Sequence, residues 1–178
     1  MECLVNALLG GQFCTDSVDI QQNGDSQIGR DILAIIPRLN FSCNGRITSI
    51  IAGIAFNNSK SSNPFIQVWR SSSTYSIVYS KTGEVELPSD DQVTRGINNY
   101  WEANINLTDN TTIEVQSGDV VGYYHPPDAH YLVKDIQTNG YKLYRFDRLS
   151  KANSVNLSES NKTFNSRQPL LQFTIGIQ

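Results

Sequence analysis

The chain's two histidines sit within one short segment, His125-Pro-Pro-Asp128-Ala-His130. Imidazole and carboxylate both ligate divalent metals, and the double proline would fix the turn that presents them. Yet the segment matches no established metal-ligand spacing, and a solvent-exposed turn explains the same residues without a metal. A hydrolase lacks its parts. There is no Gly-x-Ser-x-Gly elbow, and Cys14 or Cys43 as a nucleophile would need a histidine brought close by the fold. An enzyme would require a cleft joining His125 or His130 to a carboxylate and a nucleophile. Asp90 and Asp91 are adjacent, so in a strand they would point to opposite faces; within Pro-Ser-Asp-Asp they read as turn formers. Asp16 and Asp19 lack the spacing of a calcium loop. These residues imply no catalytic set and no cofactor.

Aromatic residues offer a different chemistry. Tyr123, Tyr124, Tyr131, Tyr141 and Tyr144 cluster in the second half, with Trp69 and Trp101 elsewhere. Tyrosine and tryptophan pair an apolar face with a polar handle, which suits recognition of protein or sugar. A ligand site is therefore placed at Tyr123, Tyr124, His125, Asp128, His130 and Tyr131, on condition that Tyr124 or Tyr131 is exposed. The competing reading is that these tyrosines pack the edge of a β core.

Three cysteines, Cys3, Cys14 and Cys43, leave one over from any pairing. Cys14 with Cys43 is the expected disulfide in an oxidising compartment; three reduced thiols are the alternative. The sequon Asn-x-Ser/Thr begins at Asn40, Asn57, Asn106, Asn110, Asn156 and Asn161. Chance gives about three in so polar a chain, so placement says more than number. Asn106 falls on the polar face of an alternating strand, Asn110 in the turn after it, Asn57 just beyond a strand, and Asn156 and Asn161 in one polar stretch. A glycan must point to water, and these positions allow it.

The elements that must position these residues read as strands. Trp101, Ala103, Ile105 and Leu107 alternate with polar residues, and Leu171, Phe173, Ile175 and Ile177 do the same. Strict period two buries one face and wets the other. Further strands, rich in β-branched and aromatic residues, are expected over 46–56, 65–70, 75–80, 84–87, 112–116, 119–124, 131–136 and 141–147. Asn44-Gly45 and Asn139-Gly140 read as tight turns between strands, and 90–99 has room for one helical turn. A polar stretch over 149–168 reads as a surface loop. About ten short strands predict an all-β fold, an antiparallel two-sheet sandwich of jelly-roll-like form, over residues 31–178. Residues 1–30 are an N-terminal segment, either partly disordered or an edge strand.

Composition sets the outer bounds. With 178 residues the chain is one domain, and charged residues make up only 17%. Net charge is -3 and the basic residues are scattered, which excludes a nucleic-acid surface. No run is long enough to span a bilayer, so no membrane insertion is expected. The start, MECLVNALLGGQFC, lacks the basic n-region of a secretory signal. Two expectations account for that start: the chain is one piece of a longer precursor, or its first residue is misplaced.

The stretches FSCNGRITSI, PFIQVWRSSSTYSIVYSKTGEVEL, NYWEANINLT, IEVQSGDVVGYYHPPDAHYLVKDIQTNGYKLYRFDR and RQPLLQFTIGI cover about residues 37–177. Together they resemble a β-sandwich domain that recurs in sponge secreted and cell-surface, receptor-like proteins. The tryptophan and arginine of QVWR and the segment SGDVVGYYHPPD are its most specific pieces. The resemblance implies an extracellular module of larger receptor-like or adhesive chains. It implies no activity and carries over no ligand residue. The resulting expectation is an extracellular, non-catalytic interaction module that binds a protein or a glycan. One alternative is a lectin-like domain with an aromatic, metal-assisted site near His125 to Tyr131; another is a structural spacer.

Overall fold

A computed structural model describes residues 11–12, 14–15, 24, 29–56, 62–72, 77–95, 101–108, 111–149 and 152–176. Among them, two antiparallel sheets of seven strands each stack face to face. The first sheet runs β1 (Gly11–Gln12), β14 (Leu171–Gly176), β3 (Gly45–Phe56), β7 (Trp101–Asn106), β6 (Thr94–Arg95). Its spine is β3, whose 12 residues take β14 and β10 (Tyr131–Val133) along one edge and β7 and β8 (Ile113–Val115) along the other. The second sheet runs β12 (Ser154–Asn156), β5 (Val78–Glu86), β4 (Phe65–Ser71), β9 (Val120–His125), β2 (Ile32–Asn40), β11 (Asp135–Asp147), β13 (Lys162–Pro169).

Alternation explains the core. Ile47, Ile50, Ala52 and Ile54 of β3, with Phe173 and Ile175 of β14, face Ile32, Ala34 and Ile36 of β2 and Ile66 and Val68 of β4. Burying each of the larger side chains stabilises the fold by about 1.5–3 kcal/mol. The expected all-β, two-sheet sandwich is therefore the fold.

The second sheet also has an apolar outer face. Leu33, Ile35, Trp69, Tyr79, Val120, Tyr124, Phe146, Val155 and Leu157 form a separate buried cluster there. The Trp69 indole packs closely on β9 because Gly122 offers no side chain there. A Cβ at that position would stand 2.8 Å from Trp69 Nε1 and 2.8 Å from the Ala34 carbonyl oxygen. The chain after β11 covers this face as a strap. Arg148 N–H donates to the Asp31 carbonyl, β12 pairs with β5 at the far edge, Leu157 N–H donates to the Ile77 carbonyl, and Asn161 N–H returns to the Arg145 carbonyl. The expected surface loop over 149–168 thus contains β12, a 3-10 turn at Leu157–Glu159 and most of β13. Its polar character reflects strands with one wet face.

Two further expectations changed. Asn139-Gly140 is no hairpin turn: β11 runs through it, with a register shift against β13 between Gln137 and Lys142 and Gly140 at φ 95°. And the first half of β2, Ile32 to Ile36, is an unbroken apolar run inside the second sheet that shows no alternation because both its faces are buried. The N-terminal segment contributes an edge strand, β1, and a buried Cys14. The possible helical turn is a 3-10 turn at Asp90–Gln92.

Candidate functional site

The sequence placed a ligand at the tyrosine–histidine segment. The structure puts those side chains in the interior, because β9 is flanked by β4 and β2 and packed on both faces. Tyr123 points into the main core and Tyr124 into the outer cluster. His125 is 0% exposed; its Nε2 accepts from Val133 N–H at 3.0 Å, so Nδ1 carries the proton and donates to the Gly29 carbonyl at 2.8 Å. Burial pulls the His125 pKa from 6.5 to about 4, against the opposing pull of the Gly29 bond. The neutral ring is a cross-brace between β9, β10 and the chain entering β2. Tyr131 is buried and its hydroxyl donates to the Pro88 carbonyl, while the Tyr124 hydroxyl donates to Asp31 Oδ1 at 3.3 Å. Asp128 and His130 are half-buried in the turn, where the Asp128 carbonyl accepts from Ser62 N–H and His130 N–H donates to the Ser62 carbonyl. The exposure that a surface site required at Tyr124 or Tyr131 is missing. The Tyr123 hydroxyl is buried without a hydrogen-bond partner, and burial, then the field of Asp135, pushes its pKa well up.

No group of three or more His, Cys, Asp or Glu among the described residues is placed to hold a metal. Cys14 and Cys43 form the expected disulfide, Cα to Cα 5.6 Å; Cys3 lies outside the described residues. Of the sequon asparagines, Asn40, Asn106 and Asn161 are exposed and Asn156 is half-buried. Asn156 Oδ1 accepts from Ser158 N–H and hydroxyl, and Asn161 Oδ1 accepts from Asp147 N–H. Asn57 and Asn110 lie outside the described residues.

Two concavities stand out among the described residues. One, of about 450 Å³, is lined by Asn44, Arg70, Thr82, Glu114 and Gln116. Its charges are already matched: Arg70 grips buried Asp119 through two bonds of 2.7 and 2.8 Å, and Glu114 pairs with Arg46 at 3.6 Å. It reads as a brace.

The other is a groove of about 660 Å³ on the outer face of the second sheet, within the size range of small-ligand sites. Val120 of β9, Tyr79 of β5 and Tyr144 of β11 line it from the sheet, and Leu157 and Ser158 of the strap wall one side. Arg38, Gly140 and Lys142 stand at another side, with Ile77 just before β5 and Ser71 of β4 opposite and Asn40 also at its border. Each polar group is held by its element. Lys142, Tyr144 and Phe146 alternate along β11 on the outer face. Lys142 Nζ lies 5.0 Å over the Tyr144 ring, a cation–π contact. Arg38 sits beside the β2 bulge, donates to the Gly140 carbonyl at 2.9 Å and lies 5.8 Å over the Tyr141 ring. A side chain at position 140 would run into its guanidinium.

The two phenols are neighbours. Burial raises the Tyr79 pKa, and the field of Tyr144 adds to the rise. Among the described residues neither hydroxyl has a hydrogen-bond partner. No carboxylate lines the groove among the described residues.

Only the tyrosine clustering hinted at this site. Tyr144 belonged to that cluster, whereas Arg38, Ile77, Tyr79 and Lys142 are brought together by strand order alone. Comparison with protein-family models, curated proteins and solved structures found no match. Among the described residues no helix is long and apolar enough to cross a membrane.

Proposed function

We propose that this chain is an extracellular, non-catalytic recognition domain that takes a saccharide into the groove between Arg38, Tyr79, Lys142 and Tyr144. The observation carrying this reading is the composition of that groove: two phenols without hydrogen-bond partners beside two cations, on an apolar floor. Phenols and guanidinium groups hydrogen-bond sugar hydroxyls, and Val120, Leu157 and Ile77 offer ground for the apolar face of a ring. A concave pocket suits a short saccharide better than the flat patch that a protein interface uses. The lectin-like alternative thus becomes the leading one, moved from His125–Tyr131 to the outer sheet. Exposed sequons and the Cys14–Cys43 disulfide support an oxidising, extracellular setting, as does the likeness to sponge secreted and cell-surface domains.

The test is a broad saccharide array probed with the disulfide-intact chain and with Tyr144→Ala. The reading expects at least one saccharide class bound by the parent chain and lost, by tenfold or more, in the variant at unchanged thermal midpoint. Silence across the array, or binding untouched by Tyr144→Ala, would overturn it.

A further inference from the structure

We infer that the saccharide is acidic: the groove is built for a sugar bearing a carboxylate or a sulfate ester. This inference rests on the proposed saccharide site and adds the charge of its ligand.

The cations make the case. Five basic side chains are already neutralised by carboxylates: Arg46 by Glu114, Arg70 by Asp119, Lys81 by Glu84, Arg145 by Asp147 and Arg167 by Asp135. Arg38 and Lys142 are not: both are exposed, with no carboxylate partner among the described residues. Both line the one groove, and they hang from the same end of neighbouring strands, since Tyr144 of β11 pairs with Ile35 of β2. A chain of net charge -3 has carboxylates to spare, yet none is among the described residues lining this groove.

The two cations also divide the labour that an acidic sugar demands. Arg38 is oriented by its bond to the Gly140 carbonyl and by the Tyr141 ring, which leaves the other edge of its planar fork to grip two oxygens of one acid group. Lys142 is a point charge lying over the Tyr144 ring, able to reach a second oxygen. Tyr79 and Tyr144 then serve the uncharged hydroxyls of the same ring. A neutral sugar would use the phenols and the Arg38 donors but leave both positive charges unmatched.

The decisive measurement is titration calorimetry of the full chain with three matched oligosaccharides: a neutral parent, its uronic-acid counterpart and its sulfated counterpart. The inference expects both acidic forms to bind at least tenfold more tightly than the parent, with an affinity that falls as salt rises. Arg38→Gln and Lys142→Gln should each weaken the acidic forms about tenfold more than they weaken the neutral parent, so that the preference for acid collapses. A stronger loss for the uronic acid in Arg38→Gln identifies the carboxylate as the native group; a stronger loss for the sulfated form identifies sulfate. Equal binding of parent and acidic forms, with Tyr144→Ala abolishing all three, overturns the inference and leaves the saccharide site standing. No binding by any saccharide removes the site itself.

Discussion

His125 is a base that the fold forbids to act as one. Both ring nitrogens are engaged, with Nε2 accepting from Val133 N–H, so a second proton would put two hydrogens face to face. Its folded pKa of about 4 lies below the unfolded 6.5. Between those values the unfolded chain binds the proton and the folded one does not, so stability falls as pH drops from about 6.5 to about 4 and levels off below. The loss from this group is about 3 kcal/mol. Urea unfolding at pH 7, 6, 5 and 4 checks it, with His125→Gln as the reference: the variant starts less stable but loses less on acidification. Parallel pH slopes for the two proteins would sink the assignment. The histidine was visible in the sequence, but its role was not. The segment His125 to Tyr131 has the residue types of a surface site, and only the central place of β9 decides that they face inward.

At the level of elements, the disulfide carries the clearest consequence. Cys14 and Cys43 close a loop of sequence separation 29 and tie the segment after β1 to the turn before β3. Constraining the unfolded chain in this way contributes about 3–4 kcal/mol. Replacing both cysteines by serine should lower stability by that amount at equilibrium in urea, and reduction of the parent chain should match it; a change below about 1 kcal/mol would show the bond to be idle. Strands with one wet face announced themselves, as Trp101 to Leu107 and Leu171 to Ile177 did. Strands with two dry faces did not. In β2 the residues Ile32 to Ile36 are all buried, so no period is written into them. Polar edge strands were equally silent: β13 alternates too weakly to be told from a loop, and its partner β11 supplies the pairing that the sequence omits.

The groove belongs to the whole molecule. Its lining comes from β2, β4, β5, β9, β11 and the strap, from Pro37 to Ser158, and no short stretch of the chain contains it. That is why residue spacing pointed elsewhere. The sandwich was legible because alternation and turn residues are local signals. Sheet order is a global one, and it alone puts Lys142 and Tyr144 beside Tyr79 and Arg38. The same order makes the second sheet three layers deep over part of its area, with the strap as lid and Trp69 resting on Gly122.

The pairing of β1 with β14 has a mechanical meaning. Gly11 stands opposite Gly176 and Gln12 opposite Ile175, so the chain enters and leaves at the same end of one sheet edge. Tension applied to the two ends would open this edge like a zipper, one rung at a time, rather than shear all rungs together. On the entering side the crack can travel only to Cys14, where the covalent link to Cys43 stops it beside the first rungs of β3. In a chain of such domains the edge would yield early and cheaply while the groove, on the other sheet, kept its shape. Stretching single molecules with optical tweezers should show a small first extension at low force, and a reducing agent should lengthen that step. A single high-force rupture, indifferent to reduction, would contradict the zipper.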